Sequence, residues 1–295
     1  MNRFINQTKT FSAPAKLNLF LHIVGRRSDG YHELETLFQF LDHCDTLSFT
    51  VTASEKIQLL TPIAGVNDDD NLIVKAARLL QEKIRQDQHS PILGVNISID
   101  KILPMGGGLG GGSSNAATVL LALNTLWQAN YSITELAHLG LTLGADVPIF
   151  IHGHAAFAQG VGEKFTPASP EEAWYLVSKP NVSISTQSVF TSGDLPRNTE
   201  KLEKPDHLVN IMNDEFFHND CQTMVIKHYS EVAKLLAWLI EYAPSRMTGT
   251  GACVFSRFTS QEQACEVQAK LPNGITSFVA KGLNKSPLIT QIASL

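Results

Sequence analysis

The sequence predicts a two-domain chain of mixed helices and strands that share a ligand cleft, on three observations. Its first fifty residues contain strand-like runs in which apolar and polar side chains alternate. Six glycines in seven positions, Gly106 to Gly112, stand between a strand pattern and an Ala/Leu-rich helix pattern. Around Pro167 to Pro170 the composition shifts to Pro, Ser and Glu, which marks a boundary and divides the 295 residues into 1–165 and 166–295.

Phe11 to Val24 reads as the first strand. Leu17, Leu19, Leu21 and Ile23 fall on one face and Lys16, Asn18, Phe20 and His22 on the other. Taken alone, Lys16 is an ordinary solvated charge. Arg26 to Gly30 is a charged turn whose Asp-Gly pair suits a hairpin, and Tyr31-His32 follows it directly. A ring and an imidazole at a hairpin end can stack on a base and read its edge; taken alone, they read as a plain surface pair. Leu34 to Leu41 and Thr46 to Val51 read as further strands. Asp68 to Asp70 reads as a solvated helix start rather than a metal cluster.

A helix should open at Asn71-Leu72 and run to about Gln86, with Ile73, Ala76, Ala77, Leu80 and Ile84 on its apolar stripe. Val95, Ile97 and Ile99 mark the strand before the glycine run, and Ser114 to Trp127 the helix after it. Ser132 to Glu135 is a capping box for another helix that should end near Gly144. Asp146, two residues before Pro148, is either a rigidly placed carboxylate or an Asx-turn residue. Ala155 to Gln159 reads as a strand. Beyond the boundary, strands are expected at Trp174 to Val177, Val182 to Ile184 and Thr276 to Lys281. Helices are expected from Thr186 past Phe190, from Ser230 to Tyr242 and from Gln261 to Leu271. Met247 to Phe255 is a second glycine loop, leading into a strand.

The stretch Pro104-Met105-Gly106-Gly107-Gly108-Leu109-Gly110-Gly111-Gly112-Ser113-Ser114 carries the chemistry. Glycines let the backbone reach positive φ and approach a ligand closely. Their free N–H groups, followed by a helix N-terminus, suit the oxygens of a nucleotide polyphosphate. A flexible linker would not stand between a strand and a helix. A dinucleotide fingerprint fits Gly106, Gly108 and Gly111, but the first acidic residue downstream is Glu135 and leaves no ribose ligand in place. A Walker A loop fails because no Lys follows the last glycine. The missing positive charge must come from elsewhere in the chain.

Bulk composition narrows the function classes. Apolar and charged contents of 43% and 17% are those of a globular protein, and a net charge of −5 argues against nucleic-acid or polybasic membrane binding. No run approaches the roughly 18 apolar residues of a bilayer span, and Met1 to Thr10 has no apolar signal core. Cys44, Cys221, Cys253 and Cys265 are scattered, as reduced thiols in a cytoplasmic protein would be. His152 and His154 lack a third ligand nearby and read as ordinary histidines. No obligate protein partner is indicated.

Three segments together resemble the GHMP kinases, which include galactokinase and the homoserine, mevalonate and phosphomevalonate kinases. They are Pro14-Ala15-Lys16-Leu17-Asn18, the glycine loop with its Ser-Ser, and Thr248-Gly249-Thr250-Gly251. Asp29-Gly30-Tyr31-His32 and Gly144-Ala145-Asp146-Val147-Pro148 sharpen the resemblance to the branch acting on a cytidine-diphosphate-linked methylerythritol. The resemblance spans about Phe11 to Pro287.

It implies an α+β fold, with an N-terminal domain like ribosomal protein S5 domain 2 and a ferredoxin-like C-terminal domain. It also implies ATP-dependent phosphorylation of the 2-hydroxyl of the methylerythritol moiety. Asp146 would accept the hydroxyl proton, and Lys16 beside it would supply the charge the loop lacks. Residues 104 to 114 would hold the ATP phosphates, with Asn71 and Lys101 at the adenine. Tyr31 and Phe190 would sandwich the cytosine, His32 would bond its edge, and Asn18 would contact the erythritol. Mg²⁺ would accompany ATP, with Ser113 and Ser114 the nameable ligand candidates. A kinase for another small alcohol, a non-catalytic nucleotide sensor and a dinucleotide-dependent oxidoreductase are the competing readings.

Overall fold

The computed structural model describes residues 2–87, 92–202, 208 and 211–295. Two long strands form its spine. β1 (Thr8–Arg26) and β2 (His32–Thr52) pair antiparallel, joined by the expected hairpin. The Arg27 N–H donates to Tyr31 O at 2.7 Å, and Gly30 at φ +90° supplies the left-handed step that an Asp-Gly turn needs. The break expected between Leu41 and Thr46 is absent, because β1 holds β2 on both sides of it and a later strand pairs with Phe40 and Leu41.

β1 does not alternate strictly. Register shifts after Pro14, Asn18 and Ile23 re-aim its side chains. Leu17 and Leu19 therefore join one apolar cluster, while Leu21 and Ile23 join another. Both faces are covered, so Lys16, Asn18, Phe20 and His22 are all buried. The solvated reading of Lys16 is thereby corrected.

β3 (Ile57–Leu59) runs parallel to β4 (Gly94–Asp100), which pairs with the far half of β2. Between them, a single 3₁₀ turn at Asp68–Asp70 spends carboxylates on Lys75 and Arg78. α1 (Leu72–Gln86) then starts where Asn71 Oδ1 accepts the Ile73 N–H at 3.0 Å. α2 (Gly111–Leu126) follows the glycine loop, and α3 (Ile133–Leu143) opens on both bonds of the Ser132/Glu135 capping box. α4 (Val147–His152), β5 (Ala156–Gly160) and β6 (Lys164–Pro167) complete this half. Its core packs Phe38, Phe40, Phe49 and Ile97 of the sheet against Leu80 of α1 and Leu120 and Leu123 of α2.

The other half is built on β7 (Trp174–Lys179), followed by α5 (Thr186–Thr191), α6 (Asp220–His228) and α7 (Ser230–Leu239). Then come β8 (Ser245–Met247), β9 (Val254–Phe258), α8 (Gln261–Gln268), β10 (Thr276–Leu283) and α9 (Pro287–Ala293). The strand expected at Val182 to Ile184 does not form. Pro180 offers no N–H to continue β7, and Val182 N–H turns back to Pro180 O at 2.7 Å. Sequence periodicity also missed α6 and α9, which are short.

The end of β10 joins the halves: Gly282 and Leu283 pair with Leu41 and Phe40 of β2. The sheet order is thus β3-β4-β2-β10-β7-β9-β8. An apolar cluster including Leu17, Leu37, Leu109, Val177 and Phe255 fills the junction beneath the cleft. α9 then returns to the first half, placing Leu288 in its core while Ser12 and Gln291 exchange bonds at 2.8 and 3.1 Å.

Candidate active site

A cavity of about 750 Å³ opens between the halves, and the glycine loop lines it from Pro104 to Ser113. The loop's carbonyls are committed to the protein. Gly106 O and Gly107 O accept from the N–H groups of Ala252 and Cys253 at 3.3 and 3.2 Å. Gly108 O accepts from Lys16 Nζ at 2.9 Å, Leu109 O from the Lys16 N–H at 3.0 Å and Gly110 O from the Ser114 N–H at 2.8 Å. Among the described residues, no amide of Met105 to Gly110 donates within the chain.

Gly106, Gly108 and Gly110 have φ of +64°, +76° and +70°. Left-handed residues alternating along the loop turn successive amides into a concave donor array. The N-terminus of α2 extends that array. Close approach also demands glycine here, since a Cβ on Gly108 would lie 2.2 Å from Thr248 O. The second glycine loop therefore clamps the first.

Lys16 joins this loop to the carboxylate. Its Nζ lies 2.5 Å from Asn18 Oδ1, 2.9 Å from Gly108 O and 3.4 Å from Asp146 Oδ2, with the Phe38 ring centroid at 5.4 Å. Asn18 is fixed in turn: its Nδ2 donates to Thr36 Oγ1 and its N–H to Thr248 Oγ1, both at 2.9 Å. Asp146 is the residue before α4, yet its side chain makes no capping bond and is 38% exposed. The Asx-turn alternative is not realised. One carboxylate face is left to the cavity.

At the far end, Tyr31 projects from the hairpin and is 64% exposed, while His32 is buried and stacks on Phe190 at 5.3 Å and 26°. Arg197 Nε donates to His32 Nε2 at 3.0 Å. Burial, then the charges of Arg197 and Arg26, hold His32 below the ordinary imidazole range. Asn71 and Lys101 also line the cavity. Asn71 Nδ2 is buried without a partner, whereas Lys101 Nζ is bonded to the buried Asp45 at 2.6 Å and to Leu103 O at 3.0 Å. Among the described residues, no group of three or more His, Cys, Asp or Glu side chains could hold a metal, and none of the helices is long and apolar enough to cross a membrane.

Residues 71–154 match the GHMP kinase N-terminal domain model and residues 201–275 the GHMP kinase C-terminal model. The chain is 66% identical to a 4-diphosphocytidyl-2-C-methyl-D-erythritol kinase of Colwellia psychrerythraea, covering 100% of this chain and 96% of that protein. The chain belongs to this family of GHMP kinases. A kinase of the same name from Shewanella denitrificans is 56% identical, covering 97% of this chain and 98% of its own. The crystal structure of a 4-(cytidine 5'-diphospho)-2C-methyl-D-erythritol kinase superposes with a TM-score of 0.80 at 30% identity, over 93% of this chain and 99% of the other. The molecule is therefore a phosphotransferase with the mixed helix-and-sheet GHMP fold.

Within this GHMP kinase, nearly every residue singled out from the sequence lines one cavity. Ser114 is the exception: it lies fully buried behind the loop, its Oγ without a partner. Sequence reasoning assigned no role to Thr248, Asp45 or Arg197. The Thr-Gly-Thr-Gly segment signalled Thr248, since a second glycine loop implies another close backbone approach. Nothing local marks Asp45, whose partners Lys101 to Leu103 lie 56 or more positions away, or the bond of Arg197 to His32, which spans 165.

Proposed function

We propose that this chain transfers the γ-phosphoryl group of ATP to the 2-hydroxyl of 4-diphosphocytidyl-2-C-methyl-D-erythritol, giving the 2-phosphate and ADP. The step belongs to non-mevalonate isoprenoid precursor biosynthesis. One observation carries the reading: Lys16 spans from the donor-lined loop to Asp146 in the same cavity that ends at Tyr31, His32 and Phe190. Residues 1–165 act as the ATP-binding domain, and 166–295 close the cleft with Phe190.

Phosphoryl transfer asks mainly for positioning and charge stabilisation. The loop amides and the α2 N-terminus hold the ATP phosphates, with Asn71 and Lys101 on the adenine side. Asp146 accepts the proton of the attacking hydroxyl, and Lys16 offsets the negative charge developing on the transferred group. Asn18 orients the erythritol, Tyr31 and Phe190 enclose the cytosine, and His32 bonds its edge. Mg²⁺ fits as an ion carried on the phosphates, because the site offers hydroxyls rather than a carboxylate cage. Of the two serines expected to hold it, Ser113 lines the cavity and would be the contact, whereas Ser114 is buried behind the loop; the ion would neutralise phosphate charge.

The test is ADP release with Mg-ATP and the cytidine conjugate, beside homoserine, mevalonate and galactose. Turnover confined to the cytidine conjugate is expected. Turnover on another alcohol would discard the base pocket, and ATP binding with no turnover on any of the four would leave a nucleotide sensor.

A further inference from the structure

Arg197 lies outside the phosphate machinery, yet it holds the base end of the cavity together. Its Nε donates to His32 Nε2 at 3.0 Å, Nη1 to Leu195 O at 2.9 Å, and Nη2 to Phe190 O at 3.2 Å and Ser192 O at 2.7 Å. A guanidinium can only donate. The His32 Nε2 it bonds must therefore be an unprotonated acceptor, and a neutral imidazole then carries its proton on Nδ1. Nδ1 has no partner among the described residues, and the ring lines the cavity. The cation of Arg197, with that of Arg26, also opposes a second proton on the ring.

We propose that Arg197 is a positioning residue that locks His32 as an Nδ1–H donor and thereby makes the base site select cytosine over uracil. The inference rests on the cytidine reading above. Cytosine N3 is a lone-pair acceptor that matches such a donor. Uracil carries a hydrogen on N3, so two donors would face each other. A site built for a specific hydrogen bond rejects the analogue that cannot make it, because a buried polar group is left unpaired. Without Arg197 the ring is free to change tautomer or rotate, and either change gives uracil N3–H an acceptor. The two bonds to Phe190 O and Ser192 O place the stacking ring from the same guanidinium, so tautomer and stack are set together.

The experiment has two readouts. ¹⁵N NMR of the imidazoles in the ligand-free full chain, with His32 assigned by comparison with His32→Gln, reports which nitrogen is protonated. Wild type should show the Nδ1–H form, and Arg197→Met a mixture of tautomers. Steady-state kinetics with the cytidine conjugate and its uridine analogue then give the kcat/KM ratio. Arg197→Met should lower that ratio by roughly tenfold or more, through KM for the cytidine conjugate, with KM for ATP unchanged. Arg197→Lys, which retains a donor, should recover part of it.

An Nε2–H form in wild type overturns the inference. So does an unchanged cytidine-to-uridine ratio in a folded Arg197→Met, which would make Arg197 a loop staple alone. Should Arg197→Met not fold, the wild-type spectrum and the Arg197→Lys ratio decide. A wild type indifferent to the base overturns the cytidine reading itself, and this inference with it.

Discussion

At the residue scale, the proposed reacting end of the site is a matched pair held by different elements. Lys16 comes from β1 and Asp146 from the start of α4, 3.4 Å apart. Lys16 is bonded to Asn18 and Gly108, so in the proposed role it would meet a phosphoryl oxygen while anchored to the loop. Asp146→Asn should lower kcat by about 100- to 10,000-fold while ATP binding is retained, measured by turnover and by nucleotide titration. Near-normal turnover would remove the proton-acceptor role. Tyr31 presents a largely exposed ring to the cavity mouth. A base–aromatic stack contributes about 1–3 kcal/mol, so Tyr31→Ala should raise KM for the cytidine conjugate roughly 5- to 150-fold. KM for ATP should hardly move; equal rises in both would refute the stacking assignment.

At the scale of elements, the first glycine loop, the proposed phosphate site, takes its shape from the second. Ala252 and Cys253 occupy the carbonyls of Gly106 and Gly107, and the Cys253 thiol fills the space a side chain would need: a Cβ on Gly107 would lie 2.5 Å from Sγ. Burial pushes that thiol up to about 12, so it acts as packing rather than as a nucleophile. Gly107→Ala should therefore cost about 1–3 kcal/mol and raise KM for ATP, as the two loops are forced apart. Adding Cys253→Ala removes the obstructing sulfur and should restore most of both losses, read from melting and from ATP kinetics. If the double variant melts no higher than Gly107→Ala alone, the junction is not set by this contact.

For the whole molecule, β1 links the two halves and carries a buried imidazole into the second. His22 Nε2 donates to Phe216 O at 2.9 Å, while its Nδ1 is buried without a partner. Burial, with the neighbouring charges of His218 and Arg246, lowers its pKa to about 4, although Asp220 and the Phe216 carbonyl pull it the other way. Because the folded pKa lies below the ordinary 6.5, the unfolded chain binds the proton more readily. His22 thus supports stability in full above pH 6.5, and that support drains as pH falls toward 4. The loss amounts to about 3 kcal/mol across the window. His22→Gln should flatten the pH dependence of the denaturation midpoint between pH 6.5 and 4; an unchanged slope would exclude His22 as its source.

Local rules were legible in the sequence wherever the partner is a chain neighbour. The Asp-Gly hairpin, the Asn71 cap, the Ser132/Glu135 capping box and the helix stripe through Leu80 all depend on residues a few positions apart. So does the sequence of strand, glycine loop and helix that announced an anion site, since a run of glycines is uncommon unless backbone must approach something closely. The family motifs pointed to Lys16, Asp146, Tyr31 and His32, and tertiary structure put them around one cavity. Tertiary structure alone buried Lys16, because three register shifts and a covering loop outweigh the surface exposure that an isolated lysine favours. It also left the amides of Met105 to Gly110 without partners among the described residues while committing the carbonyls of Gly106, Gly107 and Gly108 to partners 140 or more positions away, as with Thr248 and Gly108. Arg197 meets His32 across 165 residues of chain. Contacts of that separation leave no periodicity to read; they exist only once the halves have packed against their shared apolar junction.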